Sequence, residues 1–160
     1  VAYTLLLNED YPSWLYEVNM GATTVWERWN SVLPNGLVSD TGMNSMNHYA
    51  YGSVVEWMYR SMCGLNPQEP GFASARLEPK SDPRFAYAHA SYESVSGRYA
   101  CGWEREPDGT LCYRVEVPFG ASATFVPERK DARLLVNGRP AESSGELMLG
   151  PGSYRIEDRS

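Results

Sequence analysis

Residues 65–72, "LNPQEPGF", are where the chain changes texture, and the fold turns on how that stretch is read. On its C-terminal side come short segments of alternating apolar and polar residues: "SARLEP", "YAHASYES", "RYACGWER", "TLCYRVEVPF", "SATFVP", "ARLLVN" and "SYRIED". Asp108-Gly109, Asn137-Gly138 and Pro151-Gly152 separate several of them, and such pairs mark hairpins and turns. The spacing predicts an all-β sandwich of about eight antiparallel strands over residues 67–160.

On its N-terminal side the pattern is helical. "VAYTLLLNEDYPSW" carries Val1, Leu5 and Leu6 with no cap before them and stops at a turn-forming cluster, so it reads as the end of a helix that begins upstream. In "SWLYEVNMGA", Ser13 is an N-cap, Trp14, Leu15 and Val18 form the apolar side, and Gly21 is the stop. "NHYAYGSVVEWMYRSMCG", residues 47–64, is the strongest helix pattern, with Ser45 or Asn47 as cap, Val54, Val55, Met58, Tyr59 and Met62 at helical spacing, and Gly64 at its end. Residues 30–47 are polar and aperiodic and read as a long loop, a feature usually tied to function inside a compact domain. The expected organisation is therefore a helical domain over 1–66 and a β-domain over 67–160, with "LNPQEPGF" as linker. Two short helices and one long one cannot enclose a core, so the helical part calls for further helices or for cover from the sandwich.

The 160 residues are 42% hydrophobic and 21% charged, a composition that folds. Net charge is −6 and the 14 Lys and Arg are scattered, which argues against a nucleic-acid partner and for an uncharged or weakly charged ligand. No apolar run is long enough to span a bilayer, so no membrane partner is expected. Cys63, Cys101 and Cys112 have no CxxC spacing, and neither a metal site nor a cofactor is expected. Cys101 and Cys112 could face each other across neighbouring strands, but reduced thiols in a strand core fit better; this leans toward the cytoplasm and leaves a secreted or periplasmic location open.

In "GATTVWERWN", residues 21–30, Glu27 stands between Trp26 and Trp29. Two readings compete. Glu27 is either a half-buried carboxylate paired with Arg28, or an acid–base group beside a sugar, whose apolar ring face stacks on aromatic rings while those rings lower the local dielectric. Asp40, Glu56 and Glu93 are weaker candidates: a loop residue, a helix ion-pair partner and a sandwich residue. His89 reads as a surface or interface histidine on a strand.

"GATTVWERWN", "SMNHYAYGSVVEWMYRSMCGLNPQEPGF" and "YAHASYES", in that order, resemble the C-terminal region of bacterial α-L-rhamnosidases, the inverting enzymes of glycoside hydrolase family 78. The resemblance implies that residues 1–66 are the last helices of an (α/α)6 catalytic barrel and that the rest is its C-terminal β-sandwich. It implies that Glu27 is the general base and that His48, in "NHYA", lines the sugar subsite. The family's general acid lies in an upstream motif of the kind "DCPQRDE", which these residues do not contain, so only half of a catalytic pair is expected here. Asn30 stands where Asp is usual, and Leu15 and Val55 where Gly is common.

An inverting glycosidase needs an acid to protonate the leaving oxygen and a carboxylate base to deprotonate water, separated by roughly 6.5–9.5 Å. A base must wait ionised, and Arg28 or the Thr23 and Thr24 hydroxyls are expected to hold Glu27 so. Rhamnose has an apolar methyl end, for which Tyr11, Trp14, Trp26 and Trp29 are the expected walls, with either Trp26 or Trp29 partly in the core. The implied partners are a rhamnose-containing glycoside, the remainder of the parent chain and, through exposed barrel helices, a second copy. Two further readings are a carbohydrate-binding sandwich with Trp103 and Tyr113 as a stacking platform, and a purely structural cap.

Overall fold

A computed structural model describes residues 1–40, 42–141 and 145–159 of the chain. Two compact units are present, Val1–Val55 and Glu56–Ser160.

The first unit is built from short helices and a folded loop. Helix α1 covers Ala2–Leu6 and α2 covers Trp14–Asn19. Ser13 caps α2, its hydroxyl accepting from the Tyr16 amide at 2.9 Å, and Gly21 follows at φ +87°, where a residue without Cβ ends the helix without strain. The buried side of α2 differs from the expected one. Ser13 and Glu17, one turn apart, are buried, while Val18 is exposed.

Residues 50–62 are helical, but not as one regular helix. A 3₁₀ turn at Ala50–Ser53 leads into α3, Val54–Trp57, and then a π turn at Met58–Met62, closed by the Cys63 amide on the Met58 carbonyl at 2.9 Å. The expected cap at Ser45 or Asn47 is not the one used, since the turn starts after Tyr49. Gly64 then ends the run at φ +77°.

The second unit is a β-sandwich. One sheet has the order β1-β2-β6-β9 (Leu65–Pro67, Ser74–Leu77, Ser122–Phe125, Leu147–Leu149). The other has the order β3-β4-β5-β10-β7-β8 (Tyr87–Ser94, Gly97–Arg105, Leu111–Val117, Gly152–Asp158, Leu134–Val136, Arg139–Pro140). Among the described residues ten strands stand where the spacing predicted about eight, because β1, β8 and β9 are only two or three residues long. All pairs are antiparallel except β2 with β6, which is parallel. The stretch read as a linker is partly sheet: Leu65–Pro67 pairs with β2, and Pro70–Phe72 forms a 3₁₀ turn.

Alternation decides what is inside. On β5, Leu111, Tyr113, Val115 and Val117 point inward and Arg114 and Glu116 outward. Register sets Trp103 opposite Tyr113 and Tyr113 opposite Ile156, all fully buried, and Tyr113 meets Phe125 of the facing sheet edge-on at 5.0 Å. Trp103 donates its Nε1–H to the Met62 carbonyl at 2.9 Å. These burials overturn the reading of Trp103 and Tyr113 as a stacking platform, because both rings are 0% exposed. Cys101 pairs with Val115 and Cys112 with Glu104, so the two thiols do not face each other, and all three cysteines are free and buried. Asn137 and Gly138, both at positive φ, make the two-residue turn between β7 and β8.

Candidate active site

Glu27 and His48 are 21 positions apart, and the first unit brings their backbones together. The Glu27 amide donates to the Ser45 carbonyl at 2.9 Å, and the His48 amide donates to the Val25 carbonyl at 2.8 Å. The Thr24 hydroxyl adds a third tie, donating to the Met46 carbonyl. That hydroxyl is thus engaged with the 45–48 segment rather than with the Glu27 carboxylate it was expected to hold.

The intervening loop folds back to make this pairing. Leu33 and Ser39 donate to the Leu37 and Ser31 carbonyls at 2.8 and 2.9 Å, with a Val32–Val38 bridge between, so residues 31–39 form a small hairpin around Pro34-Asn35-Gly36. Ser31 is its buried hub. Its hydroxyl accepts from the Arg28 amide at 3.2 Å and lies 2.6 Å from Asn44 Oδ1, and its carbonyl accepts from Asn44 Nδ2 at 3.2 Å. Residue 41 lies outside the described residues; Asp40, beside it, is exposed.

His48 is half-buried and its ring stacks on Tyr49, planes 6° apart. Its Nδ1 accepts from the Ala50 amide at 3.3 Å, which assigns the neutral ring's proton to Nε2 and leaves that nitrogen a donor.

The aromatic residues separate into two groups. Trp29 stacks on Tyr51 with centroids 3.8 Å apart and planes 15° apart, and Trp14 meets Trp29 edge-on at 5.3 Å while its Nε1–H donates to the Tyr51 carbonyl at 2.9 Å. Both tryptophans are half-buried, so they form one interlocked cluster with a face left accessible. Trp26 is instead 4% exposed, which makes it core rather than a wall for a ligand. Tyr11 is exposed and packs edge-on against Tyr16 at 5.5 Å.

Sequence reasoning missed Glu17 and Tyr51. Glu17 is 3% exposed, and its Oε2 accepts from the Trp26 amide at 3.3 Å. Burial pushes its carboxyl above the ordinary range, and the Trp26 hydrogen bond offsets part of that. The one available signal was its position four residues after the Ser13 cap. Glu56 forms an exposed i,i+4 pair with Arg60 at 3.0 Å, Glu93 faces Arg98 at 3.7 Å on the sandwich, and His89 is exposed on β3 opposite Gly102.

Residues 1–62 match the model of the bacterial alpha-L-rhamnosidase 6 hairpin glycosidase domain, and residues 64–140 that of the bacterial alpha-L-rhamnosidase C-terminal domain. The chain belongs to the bacterial α-L-rhamnosidase family. An alpha-L-rhamnosidase of Alteromonas is 44% identical over 127 residues, covering 79% of this chain and 14% of the relative. One from Streptomyces avermitilis is 33% identical over 160 residues, covering 98% and 16%. Among solved structures, the Streptomyces avermitilis enzyme complexed with L-rhamnose superposes with a TM-score of 0.84 at 32% identity, covering 98% of this chain and 16% of that one. The native enzyme of Aspergillus terreus superposes with a TM-score of 0.85 at 32% identity, covering 98% and 17%. The chain therefore spans about one-sixth of the length of the family members it matches.

Proposed function

We propose that this chain is part of an inverting α-L-rhamnosidase that removes terminal α-L-rhamnosyl residues, and that Glu27 is the general base. The observation that supports the reading is the paired backbone of residues 25–27 and 45–48, the two segments that carry Glu27 and His48. The Trp14–Trp29–Tyr51 cluster belongs to the same unit and offers aromatic surface of the kind that packs on a sugar's apolar face. In this mechanism the Glu27 carboxylate takes a proton from water as that water attacks the anomeric carbon. His48, with its proton on Nε2, donates to a ring hydroxyl or holds the water. The leaving oxygen receives its proton from an acid supplied by the rest of the parent chain, so the substrate is held between two parts of one polypeptide.

In this proposal the catalytic helices end and the sandwich begins near residue 66, within the stretch where β1, Leu65–Pro67, joins the sheet. Self-association through the helical part is part of the same proposal, since Leu5 is 56% and Val55 48% exposed.

The test is turnover of an aryl α-L-rhamnoside by the purified chain and by the full-length parent. The parent hydrolyses it with inversion. The chain alone does not, because general-acid help worth about 10² to 10⁴ in rate is missing. Turnover by the chain alone that Glu27→Gln abolishes would contradict the half-site.

A further inference from the structure

Glu17 holds the segment that leads to Glu27 at both ends. Its backbone carbonyl accepts from the Ala22 amide at 3.0 Å, closing the end of α2, and its carboxyl Oε2 accepts from the Trp26 amide at 3.3 Å. Residues 22–26 are thus strapped to one residue of one helix. On their other side, the same residues and Glu27 are tied to 45–48 by the Glu27–Ser45 and His48–Val25 bonds. The backbone at Glu27 is fixed from two directions, and the Glu17 carboxyl is the side-chain component of the inner one.

We propose that Glu17 is a positioning residue for the rhamnosidase reaction: its buried carboxyl, accepting the Trp26 amide, sets the backbone from which Glu27 reaches the water. This rests on the reading of Glu27 as general base. A carboxyl at 3% exposure is costly to place there, and its Oε1 has no hydrogen-bond partner among the described residues, so the site keeps it for what Oε2 holds. Burial favours the uncharged acid, which accepts through its carbonyl oxygen as the ionised form does. What the position requires is an acceptor at the end of two methylenes, not a charge. An apolar residue of the same length leaves the Trp26 amide buried and unpaired, and the segment is then free to shift. A displacement of the base by about 1 Å costs about a hundredfold in rate.

The experiment compares Glu17→Gln with Glu17→Met in the full-length parent enzyme. Glutamine keeps the length and the acceptor; methionine keeps the length alone. Glu17→Gln is expected to retain kcat within about threefold, and Glu17→Met to lose about ten- to a hundredfold in kcat with KM changed less than about threefold, since the ring-stacking surface is untouched. Backbone hydrogen exchange at Trp26 supplies a readout independent of activity: it speeds up about tenfold or more in Glu17→Met and stays at the parent's rate in Glu17→Gln. If Glu17→Met does not fold, Glu17→Asp, one methylene too short to reach Trp26, replaces it with the same expected split. Equal kcat in both variants, or unchanged Trp26 exchange in the variant without the acceptor, overturns the proposal. An unmodified parent with no rhamnosidase turnover overturns the proposed function instead, and Trp26 exchange still reports on the anchor.

Discussion

The Glu27 amide donates to the Ser45 carbonyl at 2.9 Å, three residues ahead of His48. A backbone bond of this kind fixes the origin of the Glu27 side chain without occupying its carboxylate. The loop between them contributes its own support through buried Ser31, bonded to Arg28 and Asn44. Two backbone segments far apart in sequence, 25–27 and 45–48, are therefore paired by loop chemistry, and α2 anchors the first of them from behind.

Gly64 gives the sharpest stability prediction. A Cβ there would fall 2.1 Å from the Pro79 nitrogen, and φ is +77°. Gly109 has φ +88° with open space around it. Gly109→Ala is expected to cost only left-handed backbone strain, about 1–2 kcal/mol. Gly64→Ala adds a backbone clash of about 1–3 kcal/mol or more. Urea unfolding of the two variants checks this; equal midpoints would contradict it.

The thiols should be inert in the folded chain. Burial pushes Cys63 up to about 11 and raises Cys101 and Cys112 as well, and only the thiolate reacts. At pH 8 a thiol reagent is expected to titrate none of the three within minutes, and all three once the chain is unfolded in guanidinium. Fast reaction of a folded-state thiol would contradict the burial.

Glu17 makes an unusual contribution to pH-dependent stability. Its folded pKa is raised above 4.5, so between 4.5 and the folded value the native chain holds a proton that the unfolded chain releases. The stability it contributes is fully present below 4.5 and is lost as pH rises through the folded value, opposite to a salt-bridged carboxylate. Unfolding free energy measured against pH, as the difference between the chain and Glu17→Gln, is expected to fall on going up through that window. A flat or rising difference would contradict it.

Much of the sandwich was legible because its turns are written in local chemistry. Gly109, Asn137 and Gly138 fall where the chain needs positive φ, and the sequences of the long β3, β4, β5 and β10 alternate apolar and polar residues. β1, β8 and β9 were not, because two or three residues carry no period; they exist only through their partners. The irregularity of the 50–62 helix was equally hidden, since apolar spacing does not distinguish 3₁₀, α and π turns. At the site, Glu27 and His48 stood out through their motifs. Glu17 did not, because a lone glutamate in a short amphipathic helix reads as solvent-facing, and its burial depends on the amide of Trp26 nine residues on.

Whether Glu27 activates the water is read most directly from the kinetics of Glu27→Ala in the full-length parent with and without sodium azide. Removing a general base is expected to lower kcat by about 10² to 10⁴ with KM little changed, because stacking and hydroxyl contacts hold the substrate. Azide needs no deprotonation and fits the space the carboxylate leaves, so on a substrate with a good leaving group it restores turnover and yields a glycosyl azide of inverted configuration. Near-normal turnover with a lowered unfolding midpoint, and no response to azide, would make Glu27 a structural partner of Arg28 rather than the base.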